Sequence, residues 1–390
     1  MKWNNKGHQF DEEGKRWTEE LRGRDGIWVF GAGIYGRELR TLFENYKEGL
    51  GFQGFIDNNA NKKNQIRDCE VCTFDEYMGR QSNDWIVIAA EGEHVREIGK
   101  QLENSGKVKN KDYFEMEDFL SYQFPLVSMY GYGKLYTRTS QICVTERCTL
   151  KCKKCAHGCF AVDISAEDMR MEDVFESADF FFGKFDYVTE FSLLGGEPLL
   201  YEKLPEAIEY IGSKYRDQII NFTITSNGTI VPSDSLIKAM NKYHMIFRLS
   251  NYSNTIPGLS ARYGEVMKAL EDGGVEYRFH DEMIWGDFGF GCVDRKQDES
   301  ELIKTFDACF TGCREVRKNK YYFCVMARSS SDNMNFHVGA DDYFDLADCK
   351  DKMHLLEFSL GYSEKGYLDM CNYCNGKDFI NFPVPAAEQI

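Results

Sequence analysis

Three cysteines stand close together in the stretch "ERCTLKCKKCAH", which runs from residue 146 to residue 157. Three residues separate Cys148 from Cys152, and two separate Cys152 from Cys155. A cubane iron–sulfur cluster has iron corners only a few ångströms apart, so thiolates with this spacing on a curled loop can each bind a different iron. Three sulfurs leave the fourth iron open, as catalytic metal sites leave one position open. The spacing therefore predicts a cluster that binds an additional ligand.

A zinc site is the alternative for the same stretch. A structural zinc ion needs four ligands, and Cys159 or His157 would complete the set. This interpretation explains residues 148–159 alone. It leaves unexplained the glycine-rich motif "GGEP" at 195–198, which follows about forty residues later.

A second group of four cysteines consists of a pair separated by ten residues and a later C-x-x-C motif. Its members are Cys313, Cys324, Cys371 and Cys374. Four thiolates on a hairpin and a loop can hold one iron–sulfur cluster or one zinc ion. Cys309 is an alternative to Cys313, because both lie within one loop, whereas Cys292 and Cys349 have no assigned role. Cys69 and Cys72 lack a second pair and are interpreted as ordinary strand residues.

The N-terminal part of the chain alternates short apolar strands with helices. "IWVF" at 27–30 predicts a strand, "GAGIYG" at 31–36 a tight turn, and "RELRTLFENY" at 37–46 a helix, which together form the first unit of a Rossmann-like layer. An acidic residue at the end of the next strand, "GFQGFIDNN", fits the position that meets a nucleotide ribose. The candidates for nucleotide binding are Gly31, Gly33, Gly36 and Asp57. The alternative is a layer of the same fold that binds nothing.

A second series of strands and helices begins with "QICVT" at 141–145, the strand that leads into the three cysteines. "YVTEFSLLGGEP", "QIINFTITSNG", "MIFRLSNY" and "VEYRFH" predict further strands, each separated from the next by a helical segment. This alternation predicts a parallel sheet or a partial (β/α)6 TIM-type barrel, whose functional groups lie at the C-terminal ends of the strands. Beyond about residue 290 the alternation is lost, and loops are expected to dominate.

Composition limits the classes of function. The chain has 390 residues, 43% of them hydrophobic, 14 cysteines and a formal net charge of −16. Its length predicts three domains, and its negative charge disfavours nucleic acid and anionic lipid as partners. The N-terminal stretch has no apolar h-region, and no apolar run is long enough to span a membrane. We therefore expect a cytoplasmic protein whose cysteines serve metal binding or catalysis rather than disulfides.

The three-cysteine loop after a first strand, with "GGEP" at the end of the second, resembles radical S-adenosylmethionine (SAM) enzymes. The resemblance implies a [4Fe–4S] cluster on Cys148, Cys152 and Cys155 whose open iron binds SAM. It also implies that backbone carbonyls of the glycine motif and Glu197 accept hydrogen bonds from the SAM ammonium group. The implied SAM-contacting residues are Gly195, Gly196, Glu197, Pro198, Ser226, Asn227 and Ser250. Lys154 departs from the family, which usually has an aromatic residue there beside the adenine.

The C-terminal cysteines resemble those of the twitch domain, a shortened SPASM domain that carries an auxiliary [4Fe–4S] cluster. The expected fold class is therefore α/β, with an N-terminal Rossmann-like domain over 1–125, a partial barrel over 136–300 and a small cysteine-rich domain over 301–390. The resemblance also implies an electron donor such as flavodoxin or ferredoxin.

The same resemblance implies that SAM is cleaved reductively to a 5′-deoxyadenosyl radical, which abstracts hydrogen from a substrate. The expected reaction is oxidation of a small polyol, amino sugar or nucleotide sugar with help from the auxiliary cluster. Alternatives are peptide maturation by thioether or crosslink formation, epimerisation of a sugar or peptide with Cys292 or Cys349 as hydrogen donor, and a non-enzymatic zinc protein. No catalytic base can be named, because His157 and His280 fit structural roles equally well.

Overall fold

The computed structural model describes residues 10–46, 49–281, 283–289, 294–309, 311–335, 339–376 and 382–390. The chain divides into two compact units, one of residues 9–137 and one that includes residues 138–390. Both contain parallel sheet and helices, which confirms the predicted α/β class. The predicted domain boundaries remain predictions. Among the described residues, no helix combines the length and the apolar character that crossing a membrane requires.

The described part of the first unit is built around a five-stranded sheet. Its strands are β1 (Ile27–Phe30), β2 (Phe52–Ile56), β3 (Val71–Cys72), β4 (Trp85–Ile88) and β5 (Tyr113–Glu115). Its helices are α1 (Asp11–Arg22), α2 (Ile34–Glu44), α3 (Lys62–Gln65), α4 (Phe74–Met78), α5 (Glu93–Asn104), α6 (Met116–Asp118) and α7 (Phe124–Tyr132). The sheet order is β3-β2-β1-β4-β5 and every neighbouring pair is parallel. This is the order of a Rossmann-like layer, whose ligand crevice lies between β1 and β4.

The strands β1 and β4 are buried at every position, because helices cover both faces of a parallel sheet. The core around them includes Trp28, Phe30, Ile86 and Ile88, and Cys72 of β3 belongs to the same cluster. Burial raises the pKa of the Cys72 thiol to about 11. Cys72 is therefore an apolar core residue of a strand, as the sequence suggested.

The second unit contains an eight-stranded sheet and a small two-stranded sheet among its described residues. Its strands are β6 (Tyr136–Thr145), β7 (Tyr187–Gly195), β8 (Ile219–Ser226), β9 (Ile246–Asn251), β10 (Glu276–Asp281), β11 (Ile284–Gly286), β12 (Cys313–Arg317), β13 (Lys320–Tyr322), β14 (Tyr343–Asp345) and β15 (Pro383–Pro385). Its helices are α8 (Met171–Phe182), α9 (Leu204–Tyr215), α10 (Asp234–Lys242), α11 (Leu259–Asp272), α12 (Glu299–Asp307), α13 (Val325–Met334) and α14 (Lys352–Ser359).

The order of the large sheet is β10-β9-β8-β7-β6-β12-β13-β14, and β11 pairs with β15. Strands β7 to β10 pair in parallel with their neighbours, and β12 adds to β6 in parallel. The run from β6 to β10 follows chain order, as successive β-α units require. The C-terminal ends of these strands therefore share one edge of the sheet, where the candidate residues lie.

The two faces of this sheet differ in polarity. Phe191 of β7 and Phe222 of β8 are fully buried on one face. Side chains alternate along a strand, so Ser192 and Thr223 lie on the other face, where their hydroxyl groups share a hydrogen bond. The polar face continues into the cavity described below and is called the inner face.

Beyond residue 290 loops alternate with regular elements that the sequence did not predict. Among the described residues these are three helices, α12 to α14, and four strands, β12 to β15, of which β12 to β14 extend the large sheet. The physical reason is clearest in α13, where residues 325–331 are buried without interruption. A helix enclosed on every side does not need one apolar stripe, so its sequence "VMARSSSDNM" shows no helical periodicity.

Candidate functional site

The three-cysteine loop begins directly after β6, which ends at Thr145. Cys148 and Cys152 are buried and Cys155 is half-buried. The Cys155 N–H donates to the Cys152 carbonyl at 3.2 Å, so the loop curls between them. The sequence expectation of three thiols on a curled loop at a strand end agrees with this arrangement.

The last residues of the sequence hold the outer side of this loop. The N–H of Lys153 donates to the Glu388 carbonyl at 2.8 Å. The Gln389 side chain accepts from the N–H of Lys151 at 2.7 Å and donates to the Cys152 sulfur at 3.3 Å. Sequence patterns could not predict this contact, because Gln389 and Cys152 are 237 residues apart in the chain.

The glycine turn packs against the start of the same loop through its backbone. The N–H of Gly196 donates to the Thr145 carbonyl at 2.9 Å, and the N–H of Glu197 donates to the Arg147 carbonyl at 2.8 Å. A Cβ atom on Gly195 would lie 2.4 Å from the Thr145 oxygen, and one on Gly196 would lie 2.3 Å from the Arg147 oxygen. Both positions therefore require glycine so that the two loops can touch.

The Glu197 side chain connects the ends of β7 and β8. Its carboxylate accepts from the Ser226 hydroxyl at 2.8 Å, from the Asn227 N–H at 2.8 Å and from the Leu199 N–H at 3.2 Å. The side chain is fully buried, and burial raises its pKa to about 7. Glu197 does not line the cavity described below, and its contact with the SAM ammonium group stays a prediction.

Asn227 connects β8 to the cysteine loop. Its amide group donates to the Thr149 hydroxyl at 3.1 Å and approaches the Cys148 sulfur at 3.6 Å. Its side-chain oxygen accepts from the Thr229 N–H at 3.0 Å, which fixes the orientation of the amide. The side chain therefore positions a cysteine in addition to facing the cavity.

A cavity of about 500 Å³ opens at this edge of the sheet. Its volume lies within the range of small-molecule sites. It includes Cys155 and five of the seven predicted SAM-contacting residues, whereas Glu197 and Pro198 do not line it. The lining residues are Lys154, Cys155, Ala156, His157, Leu194, Gly195, Gly196, Thr225, Ser226, Asn227, Ser250, Tyr252, Ile284, Trp285, Gly286 and Phe288.

Residues 142–269 match the family model of the Radical SAM superfamily. The chain contains a radical SAM domain. Members of this superfamily are enzymes that use a [4Fe–4S] cluster and SAM, and they need a reductant and a substrate. The match confirms the family resemblance, and it spans the three cysteines, the glycine turn and the ends of β8 and β9. The N-terminal unit and the C-terminal cysteines lie outside it.

Solved structures similar to this chain include "Native anSMEcpe with bound AdoMet" and "Crystal structure of BtrN in complex with AdoMet and 2-DOIA". The first is 14% identical with a TM-score of 0.37, and the match covers 60% of this chain and 84% of that chain. The second is 13% identical with a TM-score of 0.40, and the match covers 63% and 95%. At these TM-scores neither similarity carries an argument. No match was found among the curated proteins.

The thiols of the radical SAM domain fit a site that is completed by metal. Burial raises the pKa of Cys148 to about 12 and that of Cys152 to about 11. A hydrogen bond from Cys159 and nearby backbone N–H groups lower the pKa of Cys155 to about 7. Buried neutral thiols become ligands when a metal displaces their protons, and N–H···S hydrogen bonds such as that of Gln389 stabilise the resulting thiolates.

Aromatic residues line the cavity although position 154 lacks one. The Lys154 ammonium group forms an ion pair with Asp287 at 2.7 Å. Tyr252 and Trp285 meet edge to face with ring centroids 5.6 Å apart, and Phe288 also lines the cavity. The cavity therefore has aromatic surface on the wall formed by the end of β9 and by β11.

The C-terminal cysteines that influence one another electrostatically differ from the four that the sequence favoured, and the segment 369–373, which contains Cys371, contacts both α12 and α13. Burial and the neighbouring Cys309 and Cys374 thiols raise the pKa of Cys324. Burial, with Cys324 and Cys309 nearby, also raises the pKa of Cys371. The pKa of Cys374 rises to about 11 through burial and the adjacent Cys309. The group is therefore Cys309, Cys324, Cys371 and Cys374.

Cys313 lies in a different environment. It is the first residue of β12 and is exposed. Its charged neighbours are Glu190, Arg314, Arg138 and Arg248. The arrangement favours Cys309, the alternative that the sequence left open, over Cys313 as the fourth member of the group.

The remaining candidate ligands have separate positions. Cys159 forms a hydrogen bond with Cys155, and burial lowers the pKa of His157, which lines the cavity, to about 4. The Cys349 thiol donates to a backbone carbonyl at 3.6 Å, and Cys292 lies outside the described residues. Throughout the described ranges, no group of three or more His, Cys, Asp or Glu residues is arranged around a single metal position.

The nucleotide-binding candidates of the N-terminal unit lie together at the end of β1. Gly31 has a φ of +116°, and a Cβ on Gly36 would lie 1.9 Å from the Gly31 oxygen. Gly33 is the N-cap of α2. The Asp57 carboxylate accepts a hydrogen bond from the Ala32 N–H at 2.9 Å, so it stabilises the turn at residues 31–36. Nucleotide binding at this turn stays a prediction.

We predict that Glu197→Gln lowers the free energy of unfolding by about 1–3 kcal/mol, because an amide NH₂ group cannot accept from the donors at the end of β8. The measurement is urea unfolding of the full chain, followed by fluorescence. The control is Glu202→Gln, an exposed position in the same region, which should change stability by less than about 0.5 kcal/mol. Equal stability of the two variants would show that Glu197 does not hold this edge together.

Proposed function

We propose that this chain is a radical SAM enzyme that oxidises a small polar substrate and carries a second, auxiliary [4Fe–4S] cluster. The observation that carries the proposal is the meeting of three thiols, a glycine turn and a cavity of about 500 Å³ at one edge of the sheet. When bound, the first cluster and SAM supply a 5′-deoxyadenosyl radical that takes a hydrogen atom from an unactivated C–H bond.

In this proposal Cys148, Cys152 and Cys155 hold the first cluster. The cavity beside Cys155 accommodates SAM, with the backbone of Gly195 and Gly196 as its polar wall and the hydroxyl groups of Ser226 and Ser250 nearby. The Asn227 amide group orients Cys148. These residues bind and orient, which is the contribution a protein makes to cofactor chemistry.

The aromatic wall has the role of excluding water. Tyr252 and Trp285 contact each other at the cavity, and the ion pair between Lys154 and Asp287 lies on the same side. A radical site needs a closed, dry cavity because side reactions compete with hydrogen transfer.

The polarity of the inner face favours a substrate that carries hydroxyl groups. Besides the hydroxyl pair of Ser192 and Thr223, the Gln141 amide donates to Glu315 at 3.3 Å. The Arg248 guanidinium donates to Glu190 at 2.5 Å. A lining of hydroxyl, amide and charged groups suits a polyol, amino sugar or nucleotide sugar better than an apolar substrate.

The second cysteine group supports the auxiliary cluster. After it gives up a hydrogen atom, the substrate must still lose one electron and one proton to complete a two-electron oxidation. An additional cluster provides an acceptor for that electron. We assign its ligands as Cys309, Cys324, Cys371 and Cys374.

The function is tested by following deuterium from the substrate into 5′-deoxyadenosine. Anaerobically reconstituted protein is incubated with SAM, dithionite and deuterated polyols, amino sugars, nucleotide sugars or peptides. We expect deuterium transfer from one of the sugar-like compounds, and no 5′-deoxyadenosine from the Cys148/Cys152/Cys155→Ala variant. Full SAM cleavage by that variant would show that these three cysteines do not hold the cluster. Deuterium transfer from a peptide alone would show that the substrate is a peptide and not a sugar-like compound.

The auxiliary ligand set is tested by metal analysis. Wild type should hold about eight irons, two clusters' worth. Cys309→Ala should hold about half of that, because it lacks one ligand of the auxiliary cluster, whereas the matched variant Cys313→Ala should hold the full amount. The opposite result for the two variants would restore Cys313 as the ligand. Zinc in place of the second set of irons would refute the auxiliary cluster.

A further inference from the structure

Arg314 is a buried arginine beside the second cysteine group. It is the second residue of β12 and is 8% exposed. Its guanidinium group donates to the Thr311 carbonyl at 2.8 Å, to the Phe323 carbonyl at 2.9 Å and to the Ser359 carbonyl at 3.2 Å. The guanidinium carbon also lies 3.6 Å from the centroid of the Phe323 ring. The group is thus fixed in position by neutral partners.

No carboxylate among the described residues forms an ion pair with Arg314. Arg328, which is also buried in this region, is neutralised in the usual way, because it forms ion pairs with both Glu146 and Glu315. A buried guanidinium without a negative partner is costly, because its hydration is lost and no opposite charge replaces it. Burial accordingly lowers the pKa of Arg314. The positive charge of Arg314 therefore needs a negative partner other than a carboxylate of the described residues.

The thiols of the second group are the ionisable neighbours that can supply this charge. The Thr311 N–H donates to the Cys309 sulfur at 3.4 Å, and the guanidinium group donates to the carbonyls of Thr311 and of Phe323, the residue before Cys324. Cysteines bind metal as thiolates, so a filled site places negative charge near the guanidinium group.

We propose that Arg314 is the counter-charge of the auxiliary cluster and raises its reduction potential. A cubane held by four thiolates is negatively charged, and accepting an electron makes it more negative. A fixed cation nearby stabilises the reduced state more than the oxidised state, which shifts the potential upward. Arg314 is then the residue that makes the cluster able to accept an electron from the substrate. This inference depends on the proposed auxiliary cluster.

The test is a redox titration of the auxiliary cluster, followed by electron paramagnetic resonance. The titration uses the full chain with Cys148, Cys152 and Cys155 replaced by Ala, so that the auxiliary cluster gives the only signal. Arg314→Met should retain its iron and show a more negative midpoint potential than the Arg314 parent, while Arg314→Lys should stay close to the parent. The same potential in all three proteins would overturn the inference.

Arg216→Met is the matched control. Arg216 is also held by carbonyls, those of Tyr243 and Ile219, but it lies on a different part of the second unit, after α9. It should leave the potential unchanged, and an equal shift in this variant would contradict the role of Arg314. If Arg314→Met loses the auxiliary iron, the iron content of Arg314→Lys is the test. Iron retained by Arg314→Lys would support the role of Arg314 as counter-charge, and equal loss of iron in both variants would overturn it. Absence of auxiliary iron in the parent itself would instead refute the proposed cluster.

Discussion

The backbone contact between the glycine turn and the cysteine loop is the constraint on which the site depends. Two N–H groups of the turn donate to carbonyls at the start of the loop, at 2.9 and 2.8 Å. The distance between the two loops leaves no room for a side chain on Gly195 or Gly196. Glu197 then joins this pair of loops to the end of β8. Three strand ends are thereby fixed around one cavity, and the cysteines take their positions from them.

The buried charged side chains of the second unit differ in the partners that satisfy them. Glu197 has both its oxygens occupied by protein donors, and Arg328 has two carboxylate partners. Arg314 differs from both, because its hydrogen-bond partners among the described residues are neutral carbonyls. In the proposed auxiliary site, cluster binding would supply the negative charge that Arg314 lacks.

Much of the architecture could be predicted because its signals are local. Apolar strands such as "IWVF" and the helix "RELRTLFENY" were visible as patterns, and residues 37–44 of the latter lie in α2. The cysteine spacing and the glycine motif identified the radical SAM domain for the same reason. The helix α13 was missed, because a helix buried on all sides has no periodic apolar stripe.

The site was less predictable because several of its contacts join distant parts of the chain. Spacing alone could not separate Cys309 from Cys313, since strand alternation places Cys313 on the inner face while Cys309 lies before β12. The hydrogen bond from Gln389 to Cys152 depends on the fold of the whole second unit. The internal hydrogen bonds of Glu197 could not be predicted, because a glutamate next to glycines fits a ligand contact and an internal acceptor equally well.

The proposed function depends on three thiols that leave one iron open toward the glycine turn, with SAM bound to that iron. The most direct measurement is electron–nuclear double resonance on the reduced enzyme with SAM labelled by ¹⁵N in its amino group. We expect a hyperfine coupling to this nitrogen, which shows that it binds the open iron, and loss of the coupling when SAM is omitted. A reduced cluster that shows no coupling in the presence of bound SAM would contradict the account.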